Sequence, residues 1–201
     1  MGGFLNIEIY QKLESNNQFI ASLKELLKNN VYQNDNKEFI NSIKLNKEEN
    51  SFWYEYKKIK FKHQQNKYEN IEWDIFVYFN IHDYNYVLEL SVLENEIQIY
   101  NNEWPYFDTS KIEQILSLMK QISLSCKQAI VIFTDEASQG KFVENLRESK
   151  NNINYLFELA ILPTNLKWKY STEKYEKLES ASESEIWKSK SRYMRKYKFR
   201  S

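Results

Sequence analysis

The chain has 201 residues, 28 basic and 28 acidic side chains, one Cys, three Gly and 42% hydrophobic residues. That length suits one core of ordinary size, and the apolar share excludes wholesale disorder. A lone cysteine excludes an intrachain disulfide, and three glycines exclude phosphate-cradling loops of the Walker A or dinucleotide-binding type.

The zero net charge conceals a split. Residues 187–201 carry seven basic side chains and no acid, which leaves −7 on residues 1–186. The N-terminus lacks a basic region followed by a long apolar run, so no signal peptide is expected. No apolar stretch approaches the ~20 residues of a membrane helix. The expectation is a soluble, cytoplasmic protein without membrane contact.

Ser15 and Gln18 make a capping-box pattern, followed at helical spacing by Phe19, Ile20, Leu23, Leu26 and Leu27. A helix is therefore predicted over 15–28. Phe39, Ile40 and Ile43 mark a shorter helical candidate. The period then changes to two: Trp73, Ile75, Val77, Phe79 and Ile81 alternate with Glu72, Asp74, Phe76, Tyr78 and Asn80. Phe52–Lys62 precedes this strand, and Val87–Leu93 and Glu96–Tyr100 follow it. Together they predict a four-stranded antiparallel meander over about 52–101.

Ser110 and Glu113 suggest a second capping box, opening a helix with Ile112, Ile115, Leu116, Met119 and Ile122 on one stripe. Ala129–Phe133 is a continuous apolar run, expected as a strand buried on both faces. Asp135 is expected to cap a helix containing Phe142, Val143 and Leu146. Ile153–Leu162 predicts one more strand, stopped by Pro163. The fold class expected is α+β, a mostly antiparallel sheet packed by helices. Residues 1–170 would form the single domain and residues 171–201 a basic C-terminal helix or tail.

Catalytic patterns are sparse. His63 and His82 have no second ligand at a recognised spacing, so no metal site or cofactor is expected. Cys126 falls between an apolar helix and a buried strand, where cysteine is more often a small core residue. Glu72, Asp74, Glu89 and Glu96 would serve a carboxylate-dependent hydrolase only if a cleft gathered them.

The window from Tyr68 to Ser110 holds nine acids, eleven aromatic rings and no Lys or Arg. With the apolar residues turned inward, the meander's other face carries Glu72, Asp74, Tyr78, Glu89, Glu96 and Tyr100. Trp104, Tyr106 and Phe107 stand at one edge. Rings supply contact area at low entropic cost and acids steer cationic partners, so this face is expected to bind a basic protein. Lysines of the preceding strand, Lys60 opposite Asp74 and Lys62 opposite Glu72, would neutralise part of it. In the tail, Lys190, Arg192, Arg195, Lys196 and Arg200 interleave with rings, a pairing that suits nucleic acid.

The size, the scarcity of glycine and the meander over Glu72–Asn80 and Val87–Asp108 running into a helix resemble bacterial immunity proteins. These neutralise contact-dependent or polymorphic toxins. The resemblance implies a non-catalytic cytoplasmic inhibitor that occludes a basic, nuclease-like toxin domain.

Overall fold

The structure, a computed structural model, describes residues 3–30, 44–46, 51–53, 58–60, 71–81, 84–99, 105–148 and 155–194. Its strands are β1 (Phe4–Gln11), β2 (Lys44–Asn46), β3 (Ser51–Trp53), β4 (Lys58–Lys60), β5 (Glu72–Ile81) and β6 (Tyr84–Leu93). They continue with β7 (Gln98–Ile99), β8 (Tyr106–Phe107), β9 (Ile130–Asp135), β10 (Leu159–Pro163), β11 (Tyr175–Ser180) and β12 (Ser184–Ser189). The helices described are α1 (Asn16–Asn30), α2 (Thr109–Ser125) and α3 (Lys141–Glu148).

The fold is α+β. Eight strands form one sheet in the order β11-β12-β10-β9-β1-β6-β5-β4, every neighbouring pair antiparallel. Two short pairs, β2-β3 and β7-β8, stand apart from it.

β1 is central and has no counterpart among the expected strands. Its alternation sends Leu5, Ile7 and Ile9 to one face and Asn6, Glu8 and Tyr10 to the other. All six are buried. On the first face Leu5, Ile7 and Ile9 meet Leu88, Leu90, Val131 and Phe133, beneath the apolar stripes of α1 and α2. The second face has its own apolar cluster, in which Phe142 and Val143 of α3 cover Ile130, Ile132 and Trp187.

α1 starts as its sequence predicts: Ser15 Oγ accepts from Gln18 N–H at 3.4 Å, and Gln18 Oε1 accepts from Glu14 N–H at 2.7 Å. For α2 the cap is Asp108, whose carboxylate accepts from Ser110 N–H at 2.8 Å, so the helix begins before the expected Ser110. Asp135 makes no capping bond; a 3-10 turn and Gly140 separate it from α3. The helical candidate around Phe39 lies outside the described residues.

The expected meander is only partly formed. β4, β5 and β6 are sequential neighbours, but β3 pairs with β2 and β7 with β8. β1 takes the place beside β6, because its fully apolar inner face fills the sheet's middle better than the short, half-exposed β7. In the β4-β5 pair Lys60 opposes Glu72 and Lys58 opposes Asp74, two residues from the expected register but on the same faces.

The C-terminal stretch departs furthest from expectation. Residues 175–189 form β11 and β12, and β12 is an inner strand between β10 and β11. A boundary near residue 170 therefore cuts through the sheet. Met194 is buried in the first core, and Phe107 N–H donates to Tyr193 O at 3.1 Å.

Candidate functional site

The second face of the sheet places carboxyl groups in its buried centre. β1 and β6 pair so that Glu8 lies directly opposite Glu89. They are 1% and 4% exposed, respectively. Two buried carboxylates side by side are costly if both are ionised. Burial, reinforced by the charges of Glu89 and Asp135, pushes Glu8 up to about 7. Tyr10 Oη donates to Glu8 Oε2 at 2.5 Å, and Gly140 N–H donates to Oε1 at 3.2 Å. Both bonds oppose the rise without cancelling it.

The loop before α3 brings two donors, Gln139 and Gly140, from far along the chain. The Gln139 side-chain amide donates to Glu89 Oε2. Gly140 follows with φ +71°, a left-handed conformation that glycine adopts without strain. Ser91 Oγ lies 2.8 Å from Asn6 Oδ1 and 3.0 Å from Glu89 Oε1, extending the polar row along the strands.

This row leads to a cavity of about 420 Å³ at the end of β9, lined by Thr134, Asp135, Ser138, Tyr155, Phe157, Glu158, Ser191, Arg192 and Tyr193. Glu158 immediately precedes β10 and is buried; burial, with a further contribution from the Asp135 charge, pushes it up to about 7. Ser189 and Ser191 hydroxyls donate to its Oε2, the latter at 2.5 Å. The Oδ1 atom of Asp135 is buried with no hydrogen-bond partner among the described residues. At the rim, Arg192 stacks 4.9 Å from the centre of the Tyr193 ring and donates to its hydroxyl at 2.8 Å.

An acid poised near neutrality beside an unsatisfied carboxylate oxygen makes an acceptor for a cation. A guanidinium or ammonium entering the cavity would satisfy Asp135 and favour release of the Glu158 proton. Among the described residues no three His, Cys, Asp or Glu side chains converge to hold a metal ion.

The residues singled out from sequence are dispersed. Glu89 is buried in the acid row, where the loop of Gln139 and Gly140 covers it. Phe107 is a core residue, 5.7 Å from Phe133 and 5.6 Å from Tyr193 between ring centres. Asp74 and Tyr106 are half-buried, and Glu96 is exposed in the 3-10 turn after β6. Glu72 and Tyr78 are placed by register opposite Lys60 and Val87. Tyr100, Trp104, Arg195, Lys196 and Arg200 lie outside the described residues, as do His63 and His82.

The alternation of Trp73–Phe76 in β5 and of β6 is as expected, but the face it defines is covered at Glu89. Among the described residues Glu89 is buried and Glu96 exposed, so these two do not face one cleft. Of the basic residues, Lys190 donates to Thr172 O at 2.7 Å and Arg192 belongs to the cavity rim. Cys126 is buried beside Ser22 Oγ at 3.2 Å, and burial pushes its thiol up, so it is a core residue.

Glu8 and Glu158 were not selected from sequence, and Asp135 was selected only as a helix cap. A signal existed for Glu158, a single acid within the apolar run Leu156–Leu162. No helix among the described residues is long and apolar enough to cross a membrane. Comparison with known proteins finds no matching family model, curated protein or solved structure.

Proposed function

We propose that the chain is a non-catalytic cytoplasmic protein that neutralises a cationic protein partner, in the manner of immunity proteins acting on basic, nuclease-like toxins. The interface is centred on the cavity of Asp135 and Glu158 rather than on the meander. The observation that carries this reading is the buried Asp135 Oδ1, without a hydrogen-bond partner among the described residues, beside a carboxyl group poised near 7. A partner's lysine or arginine side chain is the complement of that pair.

The test is calorimetry against a basic toxin domain sought in the neighbouring reading frames, with Asp135→Asn as the variant. Removing the charge of a buried, paired acceptor is expected to weaken binding by roughly 2 kcal/mol or more, at least tenfold. Equal affinity for Asp135→Asn with an unchanged circular dichroism spectrum would remove the cavity from the interface. Absence of any complex would remove the reading altogether.

A further inference from the structure

A second cleft, of about 550 Å³, opens where α3 meets the irregular segment Leu166–Tyr170 and the β11-β12 hairpin. Its chemistry is the reverse of the acidic cavity's. Trp168, Tyr170 and Trp187 supply rings, and Lys167, Lys169 and Lys177 stand against the single acid Glu185.

The floor is rigidly organised. Trp187 is buried, with Trp168 edge-on to it at 5.1 Å and Tyr170 at 4.4 Å between ring centres. Glu185 fixes this floor with both oxygens: Oε2 accepts from Trp187 Nε1 at 3.1 Å, and Oε1 accepts from Lys177 Nζ at 2.9 Å. Lys177 is thereby held 5.4 Å over the Trp187 ring.

Packing explains the buried ring of Trp187, which belongs to the second apolar cluster with Phe142 and Phe157. It does not explain the other side of the cleft. Tyr170 keeps 47% of its surface exposed, although burying it would stabilise the fold. Lys167 and Lys169 flank Trp168, are exposed, and form no ion pair among the described residues. Open ring surface with uncompensated ammonium groups beside it is complementary to a flat aromatic ligand bearing negative charge. The volume lies within the usual range of about 300–1,000 Å³ for small-molecule sites.

We infer that this cleft binds a nucleotide unit, its base stacked on Tyr170 and its phosphate held by Lys167 and Lys169. A free nucleoside monophosphate and one unit of a single-stranded nucleic acid share this chemistry. The inference is independent of the acidic cavity and of the partner proposed there.

The experiment is quenching of tryptophan fluorescence by thymidine, TMP and a thymidine decanucleotide, on the full chain and two variants. TMP or the decanucleotide should quench, with thymidine markedly weaker because it lacks phosphate. Tyr170→Ala should weaken binding about tenfold, the typical loss of one stacked base. Lys167→Ala/Lys169→Ala should weaken it and flatten the salt dependence, by about 0.7 in log–log slope for each single-strand phosphate left without its lysine. A decanucleotide binding more than tenfold tighter than TMP would assign the site to single strands, and near-equal affinities would assign it to free nucleotides. No quenching by TMP or decanucleotide at millimolar concentration overturns the inference. So does equal binding by parent and both variants, provided that their circular dichroism spectra agree with the parent's.

Discussion

The two faces of one sheet are built from the same strands, one residue out of phase, and they solve opposite problems. Toward α1 and α2, Leu5, Ile7 and Ile9 of β1 continue an apolar surface shared with Leu90 and Phe133. Toward the other side, Asn6, Glu8 and Tyr10 begin a polar row that runs through Glu89 and Ser91. The first face is held by area removed from water, a non-directional force that tolerates similar shapes. The second depends on donors arriving in the right place, because a buried carboxyl group without partners is strongly unfavourable. Tyr10, Gln139, Gly140, Ser189 and Ser191 are those donors. The sheet therefore has a purely apolar side and a side where an apolar cluster adjoins a row of buried polar groups.

The largest effect is expected from the apolar face. Ile7 is fully buried, and Ile7→Ala should cost about 2–5 kcal/mol in a urea denaturation experiment. The cost should be the same at pH 5 and pH 8, since Ile7 and its cross-strand neighbours Leu90 and Phe133 carry no titratable group.

The polar face should show the contrary pattern. Glu8 and Glu158 are each raised from an ordinary 4.5 to about 7. Between these values the folded chain keeps protons that the unfolded chain has released, so stability falls as pH rises from about 4.5 to 7. Each acid contributes at most roughly 3 kcal/mol to that decline. Glu158→Gln retains an oxygen to accept from Ser189 and Ser191 but has no charge to suppress. It should be more stable than the parent at pH 8, lose that advantage by pH 5, and shallow the slope between them. Identical pH profiles for parent and variant would show that Glu158 does not titrate there.

A smaller change sharpens the comparison from the loop that serves the acids. A Cβ at Gly140 would meet nothing within 4 Å, so Gly140→Ala is opposed only by its φ of +71°. The expected loss is about 1 kcal/mol, with the Glu8 bond to the residue 140 amide retained. Smaller again is the pair Lys120–Glu179, 2.8 Å apart but 41% and 45% exposed. Lys120→Met should change stability by less than about 1 kcal/mol, and less still at high salt.

The sequence made the helical face legible and the acidic face nearly opaque. α1, α2 and β5 follow from periodicity, because an apolar face repeats at 3.6 or 2 residues whatever lies across from it, and β9 follows from a continuous apolar run. β11 and β12 carry little such pattern. Their lysines and glutamates pair across the hairpin, as Lys188 does with Glu176 at 2.7 Å and Lys177 with Glu185 at 2.9 Å. Counting Lys188 toward a basic tail overlooked the acid that faces it. Glu8 was illegible for another reason. Its amide donor Gly140 stands 132 residues away, and no local spacing announces such a partner. The expected face over Glu72–Glu96 had the right alternation, but which loops cover a face is a property of the tertiary fold.

The most direct test of the acidic face is a carbon-13 NMR titration of glutamate side-chain carboxyls, with Glu8→Gln and Glu158→Gln providing the assignments. Two resonances with midpoints near 7, each lost in its own variant, are the predicted result. Midpoints near 4.5 for both groups would contradict the account, because the two carboxyls would then be charged and hydrated where the structure buries them.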